Sequence, residues 1–231
     1  MTINKDTIVC ISIAKKAGNF GTTIYNHVFE KLEMNFLYKS FSTENPEDAL
    51  LGARALGIRG ISVTMPYKTD VLKYVDKVSP EVKFINAANT IVNDGQTLTA
   101  YNTDVDSSSA LLSETANKKD LYILGKGGFS KAVQYSAKDL FENIHIITRS
   151  NWKSIQEMKS GVVFNCTPVK ELSKIFQDND IEFIDCDVNS PSGKRLAILQ
   201  AARQFELYTG REFLTEYVLE NSELILKKSF K

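Results

Sequence analysis

The chain has 231 residues, 43% hydrophobic and 24% charged. That is ordinary globular composition, with length for one large domain or two small ones that each bury a core. Its 28 Lys and Arg balance 28 Asp and Glu, which argues against nucleic acid or an anionic membrane as main partner and still allows a local basic pocket.

In chain order, short apolar runs alternate with amphipathic ones. Thr7 to Ser12 reads as a strand, Thr22 to Leu32 as a helix (Ile24, Val28, Phe29, Leu32), and Asn35 to Ser42 as a strand. Pro46 to Leu56 reads as a helix with proline in its first turn. Gly60 to Met65 is a strand and Pro66 to Val75 a helix. Thr90 to Val92 and Leu98 to Tyr101 flank Asn93-Asp94-Gly95-Gln96, whose Asp-Gly pair signals a hairpin. Asp104 to Leu112 is helical, Asp120 to Leu124 a strand, Phe129 to Leu140 a helix, and Asn143 to Thr148 a strand. Gly161 to Asn165 and Ile181 to Asp187 are further strands. Arg195 to Leu226 is helical with a break near Gly210. The alternation implies βαβ units, mainly parallel sheets and an α/β fold, with a domain boundary near residues 103–106.

The N-terminus lacks the basic start and apolar core of a signal peptide, and no apolar stretch approaches ~18 residues. A cytoplasmic protein without a membrane span is expected. Cys10, Cys166 and Cys186 sit in apolar runs without metal-ligand spacing, so buried reduced thiols are expected and no metal.

Leu121-Tyr122-Ile123-Leu124 leads straight into Gly125-Lys126-Gly127-Gly128 and a helix carrying Ala132 and Val133. Small residues there let the backbone turn sharply and approach a pyrophosphate, and the helix start offers unpaired N–H groups and a positive dipole end. The spelling G-x-G-G-x-x-x-A is short of the full fingerprint, and a plain strand-to-helix turn is the alternative. The strand before and helix after favour a dinucleotide. The next strand ends in Thr148-Arg149-Ser150, with Lys153 one turn on and no carboxylate. This set suits the 2′-phosphate of NADP(H) rather than the free ribose of NAD, against the alternative that Arg149 and Lys153 are ordinary solvated charges. His145, inside that strand, is expected to be a packed core residue.

Two segments of the first half are unusual. Ser62-Val63-Thr64-Met65-Pro66-Tyr67-Lys68 would put Lys68 in a helix's first turn, where the dipole disfavours a cation. Ala87-Ala88-Asn89-Thr90 and Tyr101-Asn102-Thr103-Asp104 bracket the hairpin. Capping and turn formation are the alternative for each residue alone; the set Lys68, Asn89 and Asp104 points to a site.

These motifs in this order resemble the shikimate dehydrogenase family, as do Asn165-Cys166-Thr167-Pro168 and Gln200-Ala201-Ala202-Arg203-Gln204-Phe205. The resemblance covers nearly the whole chain. It implies a substrate domain over 1–103, completed by C-terminal helices over 195–231, and a Rossmann-like NADP-binding domain over 104–194. It implies reversible reduction of 3-dehydroshikimate to shikimate, a step of chorismate and aromatic amino-acid biosynthesis, by a monomer or homodimer. Lys68 and Asp104 would flank the reacting oxygen, where a developing alkoxide needs a proton and a positive partner. Thr64, Asn89 and Gln200 would bind substrate hydroxyls. Gly125, Gly127, Gly128, Phe129, Thr148, Arg149, Ser150, Lys153, Asn165 and Thr167 would bind the cofactor.

The chain departs from the family pattern twice. Where the family carries S-x-S-P-x-x-H-N, whose serines hold the substrate carboxylate, the sequence reads Asn19-Phe20-Gly21-Thr22-Thr23-Ile24-Tyr25-Asn26. Asn19, Thr22 and Thr23 are the remaining candidates for that carboxylate. This spelling resembles a divergent shikimate dehydrogenase-like subgroup. Second, Asp185 to Gly193 runs almost directly into Arg195-Leu196, with Val188 where the family has tyrosine. The alternative function is a catalytically weak paralogue serving as a nucleotide or metabolite sensor or scaffold. Quinate or aminoshikimate chemistry is a related activity.

Overall fold

The computed structural model describes residues 3–95, 97–176 and 180–227. The chain forms two compact units, Met1–Thr103 with Ala201–Lys231, and Asp104–Gln200.

The first unit is built on β1 (Ile8–Ala14), α1 (Phe20–Lys31), β2 (Phe36–Ser42), α2 (Pro46–Ala55), β3 (Gly60–Val63), β4 (Lys77–Val78), α3 (Pro80–Ile85), β5 (Thr90–Asn93) and β6 (Leu98–Tyr101). The sheet order is β2-β1-β3-β5-β6-β4. β1 runs parallel to β2 and β3, and β4 to β6; β5 is antiparallel to both neighbours. α2 starts where it does because Asn45 accepts the N–H groups of Glu47 and Asp48 and Pro46 needs no partner there. Its Leu50 and Ala53 bury against Ile13, Ile61, Val63, Ile91 and Leu98 of the sheet.

The second unit comprises α4 (Asp104–Glu114), β7 (Asp120–Leu124), α5 (Gly128–Ala137), β8 (Asn143–Ile147), β9 (Ser160–Asn165) and β10 (Asp180–Asp185). All four strands are parallel, in the order β10-β9-β7-β8. One face is covered by Leu111 and Leu112 of α4 and Val133 and Ala137 of α5. The other is covered by short 3-10 segments, Arg149–Glu157 and Leu172–Phe176, which bury Ile155, Leu172 and Phe176. The chain winds outward from β7 to β8 and then returns to β9 on the other side of β7. Ligands of open parallel sheets bind outside the carboxyl ends of the strands at such a reversal. The remaining helices are α6 (Pro191–Thr209) and α7 (Thr215–Lys227). The boundary between the units falls inside α6, at Gln200/Ala201.

The α/β expectation holds, with corrections. No helix starts at Pro66. Thr64 to Tyr67 is a β-turn closed by Tyr67 N–H on the Thr64 carbonyl (3.0 Å), with a cis Met65-Pro66 bond, and only Asp70–Tyr74 is helical, as a 3-10 turn. Lys68 therefore does not face an α-helix dipole. His145 is not a core residue. β8 is an edge strand, so this side chain lies exposed, stacked on Tyr122 (4.8 Å) and bonded to Asp120 (3.1 Å). Cys10 is buried, which pushes its thiol up to about 12, whereas Cys166 and Cys186 are only half-buried. β4, α3 and the 3-10 segments were not foreseen, and α6 starts at Pro191 rather than Arg195. Gln96, in the predicted hairpin loop, lies outside the described residues. Among these, no helix is long and apolar enough to cross a membrane.

Candidate active site and cofactor site

In the second unit the glycine turn sits at the reversal point. Gly125 has φ +104°, and its N–H reaches the Ile147 carbonyl at 2.7 Å. A Cβ there would lie 3.1 Å from Thr167 Cγ2 and 3.4 Å from the Cys166 carbonyl oxygen. Both backbone and packing therefore demand glycine. Gly127 and Gly128 are different. Gly127 has an ordinary φ of −76° and opens α5 without a side-chain cap. A Cβ at either would meet no protein atom within 4 Å. The room they leave lies at the amide end of α5, the positive end of the helix dipole. Phe129 follows, its ring packed toward Phe164 at 6.0 Å.

Beyond β8, Asn151 organises the turn. Its Oδ1 accepts the Thr148 N–H at 2.7 Å, and its Nδ2 donates to the Ile146 carbonyl at 3.1 Å. The Thr148 and Ser150 hydroxyls lie 2.8 Å apart. Arg149 and Lys153 are exposed. Neither has a hydrogen-bond or ion-pair partner among the described residues, which leaves both available to an anion. Asn151 was missed by the sequence reading, although T-x-x-N is a capping pattern.

After β9, the buried Asn165 spends its whole amide on the loop. Its Oδ1 accepts from Thr167 N–H (3.0 Å) and Oγ1 (2.7 Å), and its Nδ2 donates to the Val169 carbonyl and Asp185 Oδ1 (both 3.1 Å). Asn165 and Thr167 thus shape the loop that presses on Gly125. A cavity of about 380 Å³ lies between the loops after β9 and β10, lined by Thr167, Val169, Lys170, Asp187 and Asn189 with Cys166 and Cys186.

Asp104 is buried at the start of α4. Its carboxylate accepts a hydrogen bond from Gln200 Nε2, and its carbonyl accepts the Ser107 and Ser108 hydroxyls. Gln200 therefore contacts the predicted catalytic carboxylate directly.

In the first unit, three segments converge. The Lys68 carbonyl accepts Ala88 N–H (2.7 Å), the Asn89 carbonyl accepts Val63 N–H (2.8 Å), and Asn89 N–H reaches the Tyr101 carbonyl (3.2 Å). The Tyr67 hydroxyl pins the turn to the Thr43 carbonyl at 2.6 Å. Thr64 is exposed, Lys68 half-buried and Asn89 buried. The Asn89 Oδ1 accepts from Thr90 Oγ1 (2.8 Å) and Thr103 N–H (2.9 Å). Gln204, Tyr25 and Ser62 were not predicted as functional; the buried Gln204 and Tyr25 and the half-buried Ser62 form a network behind Asn89. A polar residue four positions after Gln200 on an otherwise apolar helix face was the available signal.

The model of the shikimate dehydrogenase substrate binding domain matches residues 20–91. A shikimate dehydrogenase-like protein of Haemophilus influenzae is 33% identical, over 94% of this chain and 96% of that one. The chain belongs to the shikimate dehydrogenase family. A shikimate dehydrogenase (NADP(+)) of Chlorobaculum tepidum is 30% identical over 89% of this chain and 91% of its own length. A solved shikimate 5-dehydrogenase-like protein superposes with a TM-score of 0.84 at 32% identity, over 97% of this chain and 99% of that one.

The two departures from the shikimate dehydrogenase family pattern have structural correlates. Gly21 stands where the family's second serine falls. A Cβ there would lie 2.9 Å from Tyr38 Cε1 and 3.1 Å from its hydroxyl, so a side chain at this position requires the buried Tyr38 ring to move. The Thr22 hydroxyl is bonded to Ser40 (2.8 Å), and that of Thr23 to the Asn19 carbonyl (2.9 Å). At the second departure, β10 joins α6 through a tight knot. Ser190 and Ser192 hydroxyls both donate to the Asp185 carbonyl at 3.0 Å, while Val188 is exposed.

Proposed function

We propose that this protein is an NADP-dependent oxidoreductase of the cytoplasm, working as a monomer or homodimer. It reversibly reduces 3-dehydroshikimate to shikimate or converts a related cyclic polyhydroxy acid. The observation that carries this reading is the clamping of the Lys68 backbone beside Asn89 by the Ala88 and Val63 hydrogen bonds (2.7 and 2.8 Å). It supports a cation-bearing and a carboxamide-bearing segment held side by side by their backbones. In the second unit, the room at Gly127 and Gly128, and Arg149 and Lys153 without partners among the described residues, fit a dinucleotide carrying a 2′-phosphate.

When bound, the reduced nicotinamide supplies a hydride to the substrate carbonyl. Lys68 Nζ gives the proton to the oxygen that becomes an alcohol, and takes it back in the reverse direction. The Asp104 carboxylate, itself fixed by Gln200, is assigned to bond a ring hydroxyl. Thr64 and Asn89 hold further hydroxyls, and Asn19, Thr22 and Thr23 lie where a carboxylate is read. Gly125, Gly127, Gly128 and Phe129 carry the pyrophosphate end. Thr148, Arg149, Ser150 and Lys153 hold the phosphorylated ribose, and Asn165 and Thr167 shape the wall beside it.

The test is NADPH formation from shikimate by the wild type and by Lys68→Ala. A fall in kcat of about 10²–10⁴ is expected; equal rates would overturn the assignment of Lys68. A second reading, a nucleotide or metabolite sensor or scaffold, is favoured by the internally bonded Thr22 and Thr23 hydroxyls. Thermal stabilisation by NADPH with no turnover on a panel of shikimate, quinate and aminoshikimate would establish it in place of the first.

A further inference from the structure

Behind Asn89 lies a polar chain in which the donor and acceptor at each link from Ser62 to Asn89 can be assigned. Gln204 is 6% exposed. One of its amide groups faces the Asn89 carbonyl (3.2 Å), which can only accept, so that group is the nitrogen. The other hydrogen of the nitrogen goes to Thr90 Oγ1 at 2.9 Å. Its oxygen then faces two hydroxyls, Tyr25 at 2.6 Å and Ser62 at 2.9 Å, and both must donate. Having given its only proton, Ser62 accepts from the Tyr208 hydroxyl at 3.0 Å. Thr90 likewise passes its proton to Asn89 Oδ1, whose identity is fixed by the Thr103 N–H (2.9 Å), a group that can only donate. Burial pushes the Tyr25 and Tyr208 phenols well above their ordinary values, so both keep the protons they donate.

The direction is therefore single: Tyr208 to Ser62 to Gln204, and Gln204 to Thr90 to Asn89. Running it backward would set two donors or two acceptors face to face, at a cost of about 1–3 kcal/mol for each buried group left unmatched. The Asn89 carboxamide is thus held in one of its two flips, with its oxygen toward Thr90 and Thr103 and its nitrogen on the opposite side.

We propose that Gln204 is a positioning residue, which through Thr90, and together with the Thr103 N–H, holds the Asn89 carboxamide in the orientation that turns its N–H₂ donor toward a substrate hydroxyl. The proposal rests on the reading that Asn89 binds substrate, and its test separates the two. In full-length ¹⁵N-labelled protein, the side-chain amide signals of Asn89 are compared in the wild type, Gln204→Met, Thr90→Val and Thr90→Ser. The same variants are assayed with shikimate and NADP⁺. Gln204→Met and Thr90→Val break the chain at different links. Each is expected to move or broaden the Asn89 amide pair and to raise the shikimate KM about tenfold. The NADP⁺ KM should stay unchanged, and the double variant should be no worse than either single. Thr90→Ser keeps the hydroxyl and should restore wild-type signals and KM. Asn89 signals unmoved in Gln204→Met and Thr90→Val would overturn the proposal, whatever the turnover. So would additive KM effects or a Thr90→Ser variant that resembles Thr90→Val. A wild type without turnover would instead overturn the catalytic reading and leave the Asn89 signals to decide this one.

Discussion

The two units use polar side chains in opposite ways. In the first, the polar groups around Asn89 are spent on one another, from the buried Tyr25 and the half-buried Ser62 through Gln204 to Thr90. In the second, Arg149 and Lys153 stand exposed and without a partner among the described residues, and a Cβ at Gly127 or Gly128 would meet no atom of those residues within 4 Å. The contrast follows from what each region would bind. A small polyol is read by a few donors whose direction must be fixed in advance, so rigidity is built into the protein. A phosphate is read by charge and by helix amides, which tolerate late ordering of long side chains.

Three substitutions in the second unit would break or sharpen this contrast. The largest effect is expected at Gly193, where a Cβ would lie 1.9 Å from the Asp187 carbonyl oxygen. Gly193→Ala should destabilise by about 3 kcal/mol or more in urea unfolding, since backbone rather than a flexible side chain must give way. That outcome would show that the open cofactor side rests on a knot as tight as anything in the first unit. A smaller loss of pure function is expected from Gly127→Ala and Arg149→Ala. Both should leave unfolding within about 0.5 kcal/mol of wild type. NADPH affinity should fall roughly tenfold in Gly127→Ala and about 10- to 100-fold in Arg149→Ala, and only Arg149→Ala should erase the preference for NADPH over NADH, because the charge-assisted bond is worth about 1.5–3 kcal/mol. Titration calorimetry with both nucleotides checks this; unchanged affinity would remove the cofactor role of the turn.

The smallest effect concerns the pair Glu114 and Arg195, which ties α4 to α6 near the surface. The Arg195 guanidinium holds the Glu114 carboxyl below its ordinary value. A carboxyl lowered in the folded state adds stability above its unfolded pKa and loses it as pH falls through the folded value. Glu114→Gln should therefore cost at most about 1 kcal/mol at neutral pH, given how exposed the pair is. It should cost nothing in acid once the carboxyl is protonated in both states. A constant deficit at all pH values would show that shape, not charge, matters there.

Much of the fold was legible because the elements are locally specified. Asn45-Pro46 announces α2, and Leu121 to Leu124 followed by glycine announces β7 and its turn. Pro66 misled because the same residue serves a helix start and a turn, and the choice was made by the hydrogen bond from Tyr67 to Thr64 and by the anchoring of Tyr67 on Thr43. His145 misled because an apolar strand looks the same at the edge and the centre of a sheet. Asn165, read as a cofactor contact, spends its amide on the loop beside Asp185, a partner 20 positions away.

By itself the sequence determined the alternation of strands and helices, the glycine turn, the absence of an acid after β8, and the motifs around Lys68, Asn89 and Asp104. These are local matters of spacing, backbone freedom and side-chain chemistry. Only the tertiary structure decided which polar residues are spent and which remain available. Gln204 meets Tyr25 across 179 positions and Thr90 across 114, and no local pattern encodes a partner at that distance. Hydrogen-bond direction is a property of the closed set of donors and acceptors, and that set exists only once the chain has folded.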